Sequence, residues 1–280
     1  MNPTAYSRSH TPAPLAAAPS IFDRVLVGVD GTHQGFDACR QVARLAEPET
    51  VIEAATVSLF PPAAAAALGV NDLADSLERN AGAALLAAQR ILGPHAELGR
   101  LEGLTEALLK EVKRTQATLL AIGAPEHSRI EEIVLGGVGG ELLHHAPCSM
   151  LLARPVPDDA NFPRSIVVGI DGSDHAERAY QLAATLATRF HSTLHGVVAL
   201  GGRHVDADVV QQRHPEVQAA TAAPVAALVE AAACADLLIV GSRGLHGLRA
   251  LGSVSERVAH AASCSVLVVR TAPRSQEQPC

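Results

Sequence analysis

The chain has 280 residues, a net charge of −7 and 48% hydrophobic content, enough for two cores at roughly 150 residues per domain. The acidic balance excludes a broad nucleic-acid surface, which needs clustered Lys and Arg. Aromatics at 2% leave few platforms on which bases could stack. An anion bound here must be held locally, by backbone N–H groups and one or two Arg.

Residues 1–20, rich in Pro, Ser, Thr and Ala, read as a disordered tail. Pro12, Pro14 and Pro19 cut the apolar stretch that a signal peptide would need. No run reaches the roughly 18 apolar residues of a membrane span, so no membrane partner is expected. VLVGV (25–29) is a short apolar strand, 33–46 a helix, and VIEAATV (51–57) a second strand. A helical pattern over 72–92 stops at Gly93-Pro94. Residues 95–101 suit a third strand, 105–115 a helix, 118–123 a fourth strand, 138–146 a helix and 148–154 a fifth strand.

The chain then repeats itself. RVLVGVDGT (24–32) returns as SIVVGIDGS (165–173), with Gly28/Gly169, Asp30/Asp171 and Gly31/Gly172 at an offset of 141. GGVGGELLHHAPCSMLLAR (136–154) returns as GSVSERVAHAASCSVLVVR (252–270) at an offset of 252 − 136 = 116. The identical pairs there are Val138/Val254, His144/His260, Cys148/Cys264, Ser149/Ser265 and Arg154/Arg270. Two signatures in the same order mark a duplicated domain. The domains are expected at 21–156 and 162–272, with a polar tail at 273–280. The offset is 118 at Gly123/Gly241, so copy two has lost 141 − 118 = 23 residues before that point. The loss falls between 192–200 and 217–221, so the long helix is expected there as a stub or not at all. Two more residues are lost inside the loop that begins at Gly241. In the first helix of copy two, Ala179, Leu182, Ala183, Leu186, Ala187 and Phe190 form one apolar face.

Short apolar strands alternating with helices imply an α/β fold with a parallel sheet covered on both faces. Such sheets take ligands beyond the carboxyl ends of their strands, at a topological switch point. The Asp-Gly-Thr/Ser after strand one and the glycine loop after strand four both fall at that edge.

With [VI]GxDG[ST] after strand one, an apolar run ending in Gly at strand four, and a glycine pattern followed by AxCSxLxxR, the chain resembles the universal stress protein family in its tandem two-domain form, from about Phe22 to Thr271. The resemblance implies two Rossmann-like domains of the adenine nucleotide α-hydrolase-like kind. Each would be a five-stranded parallel sheet of order 3-2-1-4-5, and some family members bind ATP or AMP. It also implies that strands 148–154 and 264–270 meet across an internal pseudo-two-fold, an internal pseudo-dimer, and it leaves a further homodimer open. The family pattern for nucleotide binding is G-x2-G-x9-G-[ST].

Copy one keeps that spacing from Gly123 to Gly136, but Glu126 replaces the second Gly and Gly137 the hydroxyl residue. A carboxylate beside the phosphate path repels it. Pro125 removes an N–H donor, and Glu131 and Glu132 add negative charge. With Asp30 they make a degenerate counterpart of the site. Copy two keeps the residue types at Gly241, Gly244, Gly252 and Ser253, and Arg243 adds a cation, but seven residues rather than nine separate Gly244 from Gly252. The nucleotide-contacting set expected in copy two is completed by Gly172, Ser173 and Val254. By the resemblance, Asp171 contacts adenine, and Gly169 and Ala199 line it.

No GxSxG, Walker lysine or HExxH is present, so no catalytic residue is assigned and at most a slow ATPase is in view. No metal site is expected: His191 and His195 lie on a strand-like segment, about 13 Å apart, and His144 and His145 diverge on a helix. Asp174 reads as a helix N-cap. Five Cys without CxxC pairing predict reduced, mostly buried thiols in a cytoplasmic protein, with Cys280 exposed. The expected function is a stress-response module that binds or senses an adenine nucleotide through copy two. The alternative is a nucleotide-free scaffold in which both loops have decayed.

Overall fold

The computed structural model describes residues 21–58, 67–69, 71–103, 105–124, 138–201, 205, 207–242 and 254–270. Copy one runs β1 (Arg24–Gly28), α1 (His33–Leu45), β2 (Val51–Ser58), α2 (Asn71–Leu92), β3 (Glu97–Glu102), α3 (Thr105–Thr115), β4 (Leu119–Gly123), α4 (Val138–His145) and β5 (Ser149–Ala153). A short 3-10 turn, Asp159–Asn161, lies between the copies. Copy two runs β6 (Ser165–Ile170), α5 (Asp174–Phe190), β7 (Thr193–Ala199), α6 (Ala207–Arg213), β8 (Gln218–Ala220), α7 (Pro224–Ala231), β9 (Leu237–Ser242), α8 (Val254–Ala261) and β10 (Ser265–Arg270).

The strand order is β3-β2-β1-β4-β5-β10-β9-β6-β7-β8. Each half has the expected 3-2-1-4-5 order and is parallel throughout. The two halves are joined edge to edge by antiparallel β5 and β10, forming one ten-stranded sheet. The strands at and beside this seam are mostly buried and mostly apolar, as LLAIG, SMLLA and SVLVVR read in sequence. The stub foreseen in copy two is α6, seven residues against the 22 of α2.

The seam is self-complementary, as a two-fold contact must be. Leu151 pairs with Leu267, its own repeat equivalent (151 + 116 = 267), so the pseudo-axis passes between them. Ser149 Oγ accepts from Arg270 N at 3.1 Å, and Ser265 Oγ accepts from Arg154 N at 3.0 Å. Arg154, 3% exposed, donates to Cys264 O at 3.0 Å and Ala259 O at 2.7 Å. Arg270 donates to the carbonyls of Ala146 and Leu143. Each guanidinium thus satisfies the carbonyl end of the other copy's last helix, which is the negative end of its dipole. On one face of the sheet Arg189 binds across the copies, to Leu45 O at 3.1 Å, Ala46 O at 2.7 Å and Glu47 Oε1 at 3.1 Å.

Two buried carboxyls face each other in copy one. Burial, with the Glu111 carboxylate beside it, pushes Glu53 up to about 7. A hydrogen bond from Arg114 holds Glu111 below its usual range. Arg114 also reaches Glu53 Oε2 at 3.3 Å. A carboxyl raised in the folded state leaves stability intact below its unfolded value and removes it as pH rises through the folded one. Glu53→Gln therefore raises the melting temperature above about pH 7.5 and leaves it unchanged near pH 5. Thermal melts across that range check this, and an equal shift at both ends would contradict it.

Candidate functional site

The strand order reverses between β1 and β4 in copy one and between β6 and β9 in copy two. These are the two switch points, and the Asp-Gly turns and the strand-four glycines flank them.

The turns are built alike. Gly31 and Gly172 take φ of +81° and +85°, a conformation that a side chain would strain. Asp30 Oδ1 accepts from Thr32 N at 2.9 Å, and Asp171 Oδ1 accepts from Ser173 N at 2.9 Å. The hydroxyls then cap the helices: Thr32 Oγ1 accepts from Gly35 N at 3.2 Å, and Ser173 Oγ from Ala176 N at 3.3 Å. Ser173 is therefore the N-cap of α5, and Asp174, expected there, sits one residue later in the first turn. The hydroxyl wins because its oxygen reaches the third amide while its backbone stays extended, at φ −78° and ψ 157°. The turns differ in one respect. Asp30 Oδ1 would lie 2.7 Å from a Cβ at Gly35, whereas the repeat equivalent in copy two is Ala176 (35 + 141 = 176).

Gly123 and Gly241 have a packing role that the sequence reading missed. A Cβ on Gly241 would lie 2.4 Å from His175 O, and one on Gly123 would lie 2.3 Å from the Gln34 carbonyl carbon. Strand four runs directly against the first turn of the helix that follows strand one. That approach sets the end of β9 against the first turn of α5, the helix that the Asp171 turn opens, at the copy-two switch point. The signal for it was present: glycine at the same place in both copies, whatever the following loop had become.

Gly169 and Ala199 lie under α7. The Leu228 side chain fills the space above Gly169, 3.0 Å from where a Cβ would stand, and Ala199 is 6% exposed. Ala199 is thus buried, and Gly169 is half-buried beneath Leu228. Val254 opens α8 and is exposed. It lines an apolar groove of about 300 Å³ between α7 and α8, with Pro224, Val225, Val229, Arg257 and Ala261. Sequence reasoning did not find this groove, since its walls come from two helices separated by β9. Arg243, Gly244, Gly252 and Ser253 of copy two lie outside the described residues, as do Glu126, Gly136 and Gly137 of copy one.

The copies differ most in the wall beside the switch point. In copy one, Ala84 of α2 lies at the level of the Gly31 turn, its Cβ 3.4 Å from a Cβ placed there. The thirteen residues of α2 before Ala84 span about 20 Å, and Leu73 and Leu77 on them are exposed. In copy two α6 is too short to form such a wall. Instead Gly201 closes on Ala222 O, 2.9 Å from its Cβ position.

Among the described residues no group of three or more His, Cys, Asp or Glu is placed to hold a metal ion. Cys39, Cys148 and Cys264 are buried, and burial pushes the thiols up, to about 12 for Cys39 and about 11 for the other two. Cys234 is exposed, and Cys280 lies outside the described residues. Among the described residues no helix is long and apolar enough to cross a membrane.

Two doubly wound halves with paired switch points define a tandem α/β protein of Rossmann-like class. The family model of the universal stress protein family matches residues 21–154 and 199–270. The chain belongs to the universal stress protein family. The stretch that this match omits, 155–198, holds β6 and α5, which the internal repeat had already marked as a second first strand and helix.

A universal stress protein of Mycolicibacterium smegmatis is 29% identical over 289 residues, covering 88% of this chain and 96% of that protein. One from Mycobacterium tuberculosis is 31% identical over 186 residues, covering 55% of this chain and 62% of that protein. The crystal structure of a universal stress protein from Archaeoglobus fulgidus superimposes with a TM-score of 0.67 at 20% identity, covering 88% of this chain and 96% of that one. That last likeness concerns the fold.

Proposed function

We propose that the chain binds an adenine nucleotide, ATP or AMP, at the copy-two switch point, and that copy one serves folding and the seam between the halves. The observation that carries this reading is the close approach of the Gly241 end of β9 to His175 and Ala176, in the first turn of the helix that the Asp171–Ser173 turn opens. It supports the reading because Gly241 opens the loop next to the first turn of α5, and α8 follows in the chain as a helix whose positive end favours an anion. Copy one shares the turn, but its loop sequence holds Glu126, Glu131 and Glu132, with Glu126 at the position of Gly244 and Pro125 at that of Arg243. The cytoplasm is the compartment that suits reduced, buried thiols.

The test is a charge introduced at equivalent loop positions. Gly252→Glu abolishes nucleotide binding measured by calorimetry, and Gly136→Glu leaves it within about twofold of wild type. The reverse pattern would move the site to copy one. No heat from the wild-type protein, with no nucleotide released on denaturation, would favour the scaffold reading.

A further inference from the structure

The bed beneath α7 is carved out in copy two. β6 and β7 pair Gly169 with Val197, as β1 and β2 pair Gly28 with Ala55, so Ala199 stands where copy one has Val57. One strand further out, Ala220 pairs with Ala199 where Leu101 pairs with Val57. These residues share one face of the sheet, the face under α3 in copy one and under α7 in copy two. Two large side chains of copy one are thus two alanines here, beside a glycine near the carboxyl end of β6. A floor of that kind, at the edge where doubly wound sheets take their ligands, suits a flat apolar ring.

Leu228 fills the space over that floor. Its two methyl carbons lie 3.0 and 3.1 Å from where a Cβ would stand on Gly169, whereas Leu108, its counterpart on α3, approaches the same point on Gly28 to 3.7 Å. Yet α7 is lightly fastened. Of its eight residues only Ala227 and Leu228 are buried, whereas α3 buries Thr105, Ala107, Leu108, Glu111 and Val112. Its N-cap, Ala223, makes no side-chain capping bond, whereas Thr32 and Ser173 cap α1 and α5. Beside it the groove toward α8 leaves about 300 Å³ of open space. A helix held by one large side chain and bordered by such space belongs to the part of a fold that opens at low cost.

We propose that Leu228 is a plug and α7 a lid: together they close a base-binding recess over Gly169, Ala199 and Ala220, and α7 lifts when a purine enters. This rests on the reading of copy two as the nucleotide site. It concerns the base end alone, which is formed by β6, β7, β8 and α7 and not by the Gly241–Ser253 loop. The affinity of the wild-type protein is then its intrinsic affinity reduced by the fraction of molecules with the lid raised. Shortening Leu228 raises that fraction, because less apolar surface leaves the core when α7 lifts.

The experiment is a calorimetric titration of adenosine and of AMP into the full-length wild type, Leu228→Ala and Leu108→Ala. Adenosine has no phosphate and reads the base end by itself. Leu228→Ala is expected to bind both ligands about tenfold more tightly than wild type, and Leu108→Ala to stay within about twofold of it. Hydrogen exchange on the wild-type protein is the second measurement, and it decides if Leu228→Ala does not fold. Saturating AMP is expected to speed exchange of the α7 amides several-fold, but not that of β6 and β9. A wild-type Kd in folded Leu228→Ala, a gain for AMP without one for adenosine, or α7 amides that AMP leaves unchanged or slows overturns the proposal and leaves the copy-two reading standing. Tightening by Leu108→Ala in place of Leu228→Ala puts the ligand in copy one and overturns both. No binding of either ligand by any folded variant also overturns both.

Discussion

Gly241→Val lowers the melting temperature by roughly 6–12 °C and removes nucleotide binding. The new Cβ meets His175 O at 2.4 Å and Ala176 N at 2.8 Å. These are backbone atoms of the first turn of α5, so no rotamer change relieves the clash. Either α5 lifts or β9 withdraws. Overpacking of this kind costs about 3 kcal/mol, and at this chain length each kcal/mol corresponds to about 2–4 °C. Gly123→Val separates the two consequences. Its Cβ meets the Gln34 carbonyl and Gly35 N at 2.3–2.6 Å, so the loss of stability is comparable. It lies at the copy-one switch point, however, so the folded protein keeps its nucleotide affinity. Calorimetric melting and nucleotide titration on the two variants check this. Loss of affinity in both would mean that strain anywhere in the sheet disables the site.

Arg154→Met destabilises the chain by about 2–4 kcal/mol in denaturant unfolding. Methionine fills much of the volume, but it leaves Cys264 O and Ala259 O buried without their donor. Each orphaned carbonyl carries a desolvation penalty, and two are created. Arg154→Lys recovers only part of the loss, because one ammonium cannot reproduce the fork that spans both carbonyls. Arg270→Met gives a loss of the same order, since its guanidinium makes the equivalent contacts on copy one. A neutral result for both arginines would mean that the antiparallel β5–β10 pairing alone holds the halves together.

Most of the fold could be read from the repeat. The seam between strands 148–154 and 264–270 came from the family resemblance, whereas the offsets marked strands one, four and five of copy two and left a stub or nothing of the long helix. They did so because a duplicated core must preserve its apolar strands and tight turns to remain folded. The site was less legible. Gly241 was taken for a phosphate-loop glycine, yet its clearest demand is the closeness of α5. Sequence shows that a residue is small but not what stands against it. Gly169 met the same difficulty, with Leu228 arriving from 59 residues further along the chain. Asp174 was given the cap because Asp and Ser are both good caps, and only the backbone angles decide between neighbours. The contact of His144 Nε2 with Glu256 Oε1, 3.0 Å apart, could not be inferred from either copy, since it joins two helices across the seam.

The central claim is that one switch point, that of copy two, binds the nucleotide. The most direct measurement is the stoichiometry of ATP and AMP binding to the intact chain by calorimetry, alongside the nucleotide released on denaturation. The predicted result is one site per chain, unchanged in Gly136→Glu and lost in Gly252→Glu. Two equivalent sites, or a single site that survives Gly252→Glu, would contradict it.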